Sequence, residues 1–271
     1  WYNIIMKDLL NKAKQTKIIF FDIDDTLRVK NTGYMPDSIP RVFELLRKKG
    51  ILTGIATGRN FYGVLPEIKA LNPDFFVTAN GAYVIDSSDQ LIYNNPLPKS
   101  TVASILSWLK NCDSDYVFYG SDNVVASSWN EVVAQAISPI YGELSVNPDY
   151  HDIHDIYQVL SLSDHDDQLV LPDELVNKVR QVRWHPHSSD IVPIAGSKAD
   201  GVSRVLKQLG LSPENVMNFG DELNDLELFE FGGISVAMKV SHPAILASAD
   251  YVTDSVENDG IEKALKTLAL I

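Results

Sequence analysis

Residues 20–27 read Phe20-Phe21-Asp22-Ile23-Asp24-Asp25-Thr26-Leu27. With Ile18 and Ile19 ahead of them, the two phenylalanines complete an apolar run of the kind found in strands buried on both faces. Asp22 and Asp24 stand at its end, with Asp25 and Thr26 directly behind. Carboxylates crowded at the end of a buried strand repel one another and resist desolvation unless a cation collects them. Mg²⁺ is the simplest candidate, a hard cation that takes oxygen ligands and keeps part of its water shell. The competing reading is a solvated turn, since Asp and Thr are common turn formers.

Three later segments shift the balance. Ile51-Leu52-Thr53-Gly54-Ile55-Ala56-Thr57-Gly58-Arg59 is a second apolar strand that ends in a hydroxyl, a glycine and an arginine. Thr57 can donate a hydrogen bond, Gly58 permits close backbone approach, and Asn60 can cap a following helix whose N–H groups face an anion. Gly196-Ser197-Lys198 precedes a helical run over 199–209. Val216-Met217-Asn218-Phe219-Gly220-Asp221-Glu222-Leu223-Asn224-Asp225 is a strand ending in Gly-Asp and then Asn-Asp. Each segment alone is weak. In this order and at these strand ends, they describe one site for an anion and a metal.

Around these segments a strand–helix rhythm is expected: strand 17–22, helix 38–49, strand 51–56, helix 61–71 and strand 75–78. After the middle of the chain it resumes with helix 198–210, strand 215–219, helix 223–230, strand 233–237, helix 242–248, strand 250–253 and helix 259–269. Short parallel strands alternating with helices predict an α/β fold with a doubly wound sheet that binds ligands at the carboxyl ends of its strands. The middle breaks the rhythm. A hairpin over 82–94, helices over 101–111, 129–141 and 172–179, and strands over 116–119, 123–126, 157–162 and 181–185 predict a mixed α+β insert. The chain is expected to return to the first domain over 190–194.

Composition narrows the field. A chain of 271 residues with 45% apolar and 22% charged residues has the make-up of a soluble globule with a real core. Its net charge of −13 argues against nucleic acid and against anionic membranes as partners. A phosphate site in so acidic a protein needs local positive charge, which Lys198, Arg59, a metal and helix N-termini can supply. Cys112 is the only cysteine, so no intrachain disulfide forms and a cytoplasmic location is expected. No apolar run reaches the ~20 residues of a membrane-spanning helix, and the first seventeen residues lack a signal-peptide pattern.

In its motifs the chain resembles the haloacid-dehalogenase (HAD) superfamily phosphatases, specifically the Cof-type group with a type IIB cap. The likeness rests on DIDDTL at 22–27, ATGR at 56–59, NGA at 80–82, SKADG at 197–201, GDELND at 220–225, VAM at 236–238, AD-x-VT at 249–253 and DG at 259–260. Asp25 stands where many relatives carry Gly. A second departure is the extension ahead of the first strand, which begins at Trp1 rather than Met, as a processed terminus would.

The resemblance implies a discontinuous HAD-like Rossmannoid core over 1–83 and 191–271, with an α+β cap over 84–190 that sets substrate specificity. It implies Mg²⁺-dependent hydrolysis of a small phosphorylated metabolite, a sugar phosphate among the candidates, through an aspartyl-phosphate. Asp22 would be the nucleophile and Asp24 the general acid and base. Asp22, Asp221 and the Asp24 carbonyl would hold the metal. Thr57, Gly58, Lys198 and Asn224 would bind the phosphoryl group, with Asp225 and Arg59 one shell out. Asn80, Trp184 and His185 are offered as specificity residues, against a structural turn for Asn80 and a cap-core position for Trp184. A phosphotransferase or mutase of the same capped subclass is the alternative activity. A phospho-acceptor domain is disfavoured by the cap and by Asp24, and an inactive binding protein by the full set of chemical groups. His151, His154 and His165, among Asp149, Asp152, Asp155, Asp164, Asp166 and Asp167, are expected in a solvated acidic loop rather than at a metal.

Overall fold

The computed structural model describes residues 2–271, with the side chains of residues 2–5 and Trp184 left out of the description. Trp1 and the Trp184 side chain, both singled out from the sequence, therefore lie outside the described residues. By contact density the chain forms two units, one of residues up to 58, 65–94 and 197–271, the other of 59–64 and 95–196.

The first unit opens with α1 (Tyr2–Ala13), β1 (Ile18–Phe21), α2 (Ser38–Lys48), β2 (Leu52–Ala56), α3 (Pro66–Lys69), β3 (Phe75–Thr78), β4 (Tyr83–Asp86) and β5 (Leu91–Asn94). The second unit carries α4 (Lys99–Asn111), β6 (Asp115–Tyr119), β7 (Val124–Ala126), α5 (Glu131–Tyr141), β8 (Gln158–Leu162), α6 (Asp173–Val176), β9 (Val179–His185) and β10 (Ser188–Pro193). The first unit then resumes with α7 (Lys198–Leu209), β11 (Val216–Gly220), α8 (Leu226–Phe231), β12 (Ile234–Ala237), α9 (Pro243–Ser248), β13 (Tyr251–Val252) and α10 (Gly260–Thr267).

The eight strands of the first unit form one sheet in the order β13-β12-β11-β1-β2-β3-β4-β5. It is parallel from β13 to β3 and antiparallel across β3-β4-β5. All four side chains of β1 are buried because both faces are covered. Ile18 and Phe20 pack in one cluster with Val202, Val205 and Leu206 of α7 and Leu228 of α8. On the other face the Phe21 ring lies 5.0 Å from Phe43 of α2. That helix buries Ile39, Val42, Phe43 and Leu46, the spacing of one helical face. The doubly wound α/β fold is therefore present, with β1 at its centre.

In the second unit a five-stranded antiparallel sheet runs β7-β6-β8-β10-β9. Val159 and Ile191 join α4 in one apolar cluster, while Val117, Leu160 and Leu162 join α5 in another. His151 lies 5.4 Å from the Phe118 ring, His154 stacks on Tyr150 at 4.0 Å, and His165 Nε2 sits 3.0 Å from the Cys112 carbonyl. The first two are used in ring packing and the third in a hydrogen bond. Asp149, Asp152, Asp155, Asp164 and Asp167 are exposed as expected, but Asp166 is not. Fully buried, it accepts from Ser161 and Ser189 at 2.5 and 2.6 Å and pairs with Arg183 at 2.9 Å.

Several expected boundaries move. The 82–94 hairpin, whose strands the boundary at 84 gave to the insert, extends the large sheet, because β4 pairs with β3. Its alternation marked a hairpin without marking which sheet edge receives it. Residues 190–194 do not lead back into the large sheet: β10 pairs with both β8 and β9. The helix expected over 61–71 shrinks to α3, which starts at Pro66. Residues 59–64 instead join the second unit, where Asn60 donates to the Gly120 carbonyl at 2.9 Å and the Tyr62 amide to Ser121. The helix expected over 172–179 is only the single turn of α6. Among the described residues no helix is long and apolar enough to cross a membrane.

Candidate active site

The carboxyl ends of β1, β2, β3 and β11 lie side by side in the first unit, and the chemistry-bearing residues collect there. Asp22 follows β1 directly and is buried. Lys198 is the first residue of α7, fully buried, and its Nζ donates to Asp22 Oδ1 at 2.8 Å and to Asp225 Oδ1 at 2.7 Å. Ser197 caps that helix through a capping box with Asp200, which fixes where Lys198 leaves the backbone.

Gly81 and Gly201 make this seat possible. A Cβ on Gly81 (φ +91°) would lie 2.0 Å from the Ser197 carbonyl oxygen, and one on Gly201 would lie 2.8 Å from Gly81 Cα. The turn after β3 and the first turn of α7 therefore pack backbone against backbone. Gly81→Ala is expected to cost roughly 2–3 kcal/mol. Thermal melting checks this; an unchanged melting temperature would mean that the contact is not tight.

Asp221 and Asp225 reach the site from the loop after β11. Asp221 Oδ1 accepts from the Thr26 hydroxyl at 2.8 Å. Asp225 Oδ2 accepts from the amides of Asp221 and Glu222 at 3.1 and 3.2 Å, so this carboxylate braces both the loop and Lys198. Asp22, Asp221 and Asp225 each offer a carboxylate oxygen within 4.8 Å of the others. One lysine facing three acids leaves a surplus of negative charge. Burial pushes Asp22 up to about 7, with Lys198 opposing and Asp225 and Asp24 adding. Burial and then Asp22 push Asp221 up to about 8, against the Thr26 hydrogen bond. Burial alone would lower Lys198, but the two carboxylates outweigh it and hold the amine above its ordinary range. Oxygen donors with unbalanced negative charge suit a hard divalent cation, so this donor set fits Mg²⁺.

A second group adjoins the first. The Asn80 amide donates to the Thr57 carbonyl at 3.1 Å, and Asn224 Nδ2 donates to Asn80 Oδ1 at 3.0 Å. A Cβ on Gly58 would lie 3.2 Å from Asn80 Oδ1 and 3.3 Å from Asn224 Nδ2. Thr57, Gly58, Asn80 and Asn224 thus converge, although they come from three strand ends. Asn80 holds a left-handed backbone (φ 51°) in the turn after β3, and its side chain accepts from Asn224.

Asp24 is partly exposed and lies 3.6 Å from Arg28 Nη1. Asp25 has φ 57°, a conformation that glycine adopts freely and Asp tolerates, which accounts for the departure at that position. Its amide donates to the Arg28 carbonyl, and its carboxylate accepts from the Lys30 amide. Arg59 donates to the Gly63 carbonyl at 3.0 Å within its own loop, which belongs to the second unit. His185 closes β9 beside His187, whose amide donates to His185 Nδ1 at 3.2 Å. No role is read from the sequence for Thr26, Arg28 or His242, whose amide donates to the Asp221 carbonyl at 2.8 Å. Thr26 lies inside the opening motif; no pattern marks the other two.

A family model described as haloacid dehalogenase-like hydrolase matches residues 19–265. A Streptococcus pyogenes protein, whose name proposes a bifunctional phosphatase/peptidyl-prolyl cis-trans isomerase, is 51% identical over 96% of this chain. The chain spans 55% of that protein's length, about half. The Bacillus subtilis 5-amino-6-(5-phospho-D-ribitylamino)uracil phosphatase YcsE is 27% identical over 92% of this chain and 94% of its own. The solved structure of the HAD subclass IIB sugar phosphatase BT4131 matches with a TM-score of 0.79 at 26% identity, covering 94% of this chain and 100% of that one.

Proposed function

The chain belongs to the haloacid dehalogenase-like hydrolases, and from that membership we propose that it hydrolyses a small phosphomonoester through an aspartyl-phosphate on Asp22, with Mg²⁺ as cofactor. The observation that carries this reading is the buried Lys198 bridge between Asp22 and Asp225. It fixes one strand-end carboxylate beside a cation that can also meet an incoming phosphoryl oxygen. YcsE and BT4131, named for a ribityl phosphate and for sugars, favour a phosphate ester of a polyhydroxylated alcohol as substrate.

An Asp22 oxygen attacks phosphorus in line, and the bond from phosphorus to the ester oxygen breaks. Asp24 gives its proton to that oxygen, then takes one from the water that attacks the aspartyl-phosphate and releases phosphate. Thr57, the Gly58 backbone, Lys198 and Asn224 hold the phosphoryl oxygens where negative charge develops. Asp225 positions Lys198, Asn80 positions Asn224, and Arg59 props the loop that follows Gly58. Trp184 and His185 are proposed, on their residue types alone, to read the rest of the substrate. Asp22, Asp221 and the Asp24 carbonyl would hold Mg²⁺, which when bound screens the anionic nucleophile from the anionic substrate.

Asp22 and Asp221 stand near 7 and 8 in the folded chain against an ordinary 3.8. Between those values the folded protein binds more protons than the unfolded one, so without divalent cation its stability falls as pH rises through that window. Mg²⁺ favours the ionised acids and should raise the melting temperature more at pH 8 than at pH 5. Equal shifts at both pH values would remove these acids from the metal site.

Phosphate release from a panel of sugar, sugar-alcohol and aryl phosphates, with Mg²⁺ and with EDTA, tests the function. Release from at least one ester that EDTA abolishes is expected. Release unaffected by EDTA removes the cofactor, no release removes the phosphatase reading, and a phosphorylated product without free phosphate turns it to phosphotransfer.

A further inference from the structure

We propose that Arg28, anchored by Glu67, is a positioning residue for the Asp24 carboxylate; the role rests on the phosphatase reading above. Arg28 is nearly buried, at 13% side-chain exposure, and different nitrogens of its guanidinium face two acids. Nη1 lies 3.6 Å from Asp24 Oδ1 and Nε lies 3.8 Å from Glu67 Oε1. Nε has no hydrogen-bond partner among the described residues, so the ion pairs are what hold this edge.

The local backbone is shaped around the guanidinium. The Arg28 amide donates to the Ile23 carbonyl at 3.1 Å, and the Asp25 amide to the Arg28 carbonyl at 2.6 Å. This tight turn sets the backbones of Asp24 and Arg28 side by side in an isolated bridge. Gly33 has φ +74°, and a Cβ there would lie 2.6 Å from Arg28 Nη2. A side chain at 33 would displace the guanidinium.

The arrangement supplies Asp24 with a brace. Lys198 fixes Asp22, whereas Asp24 is partly exposed and stands beside a different cation. A base oriented by a third group is the general form of such sites. Arginine suits the task because different nitrogens of one delocalised guanidinium can face two carboxylates at once, whereas a lysine offers one point charge. In this arrangement Glu67 holds the guanidinium, which holds Asp24 where its proton passes to the ester oxygen as the Asp22–phosphorus bond forms.

The consequence depends on the leaving group. An alkoxide needs the proton from Asp24, whereas p-nitrophenolate leaves without it. For the fastest alkyl phosphate of the panel, Arg28→Met is expected to lower kcat/KM about a hundredfold, and for p-nitrophenyl phosphate by less than about threefold. Arg28→Lys should restore part of the alkyl-ester rate. Glu67→Gln, at a half-exposed position that should not threaten folding, is expected to show the same bias at about three- to tenfold. Equal losses on both esters, or no loss on either, would overturn the relay while leaving the phosphatase reading intact. Failure of the unaltered protein to cleave either ester would overturn that reading and the relay with it.

Discussion

Asp22→Asn is expected to abolish phosphate release, by ~10⁴-fold or more, while leaving the protein folded. The amide has the shape of the carboxylate but is a far weaker nucleophile. The fold tolerates the change because Lys198 keeps Asp225 at 2.7 Å and is not stranded. The lost group is also one whose ionisation burial opposes, so its removal relieves a cost rather than adding one. Turnover and thermal melting, measured on the same preparation, separate the two effects. Residual activity above about a tenth of the original would place the nucleophile elsewhere.

Lys198→Ala carries the second large effect, and it acts on stability as well as rate. Removing the amine leaves Asp22 and Asp225 buried without their counter-charge, at a cost of about 3–5 kcal/mol. Activity should fall by at least ~10²-fold with the loss of a donor to the phosphoryl group. Adding Asp225→Asn removes one stranded charge, so the double variant should regain part of the stability and none of the activity. Urea unfolding reads the first quantity and kcat the second. A single variant within about 1 kcal/mol of the original would mean that the bridge is not formed in solution.

Much of the site was legible because parallel strands end together. Once residues 18–21, 52–56 and 216–220 are read as neighbouring parallel strands, Asp22, Thr57 and Asp221 must meet at one edge. Lys198 was legible from its place at a helix start, but its full burial was not. That depends on the contact between Gly81 and Gly201, residues 120 positions apart in sequence and adjacent in space. From its motif Asp225 is expected one shell out. Its two oxygens prove to serve two tasks, which no spacing encodes.

The limits of the insert were less legible, because alternation identifies a hairpin without saying which sheet it extends. β4 and β5 went to the large sheet and β10 to the small one for that reason. Asp166 looked like its solvated neighbours, and only the approach of Ser161, Ser189 and Arg183 from distant segments buries it. The partnership of Arg28 and Glu67 has the same character, since Glu67 stands on a one-turn helix outside every quoted motif.

Chemical trapping separates a covalent aspartyl-phosphate on Asp22 from direct attack of water on the ester. The enzyme would be mixed with Mg²⁺ and a ³²P-labelled ester from the panel, quenched in acid within one turnover, and the labelled peptide mapped. Acid-stable, base-labile label on the peptide bearing Asp22, absent from Asp22→Asn, is the predicted result. Label on another residue, or phosphate released in the first turnover with no labelled protein at any time, would contradict it.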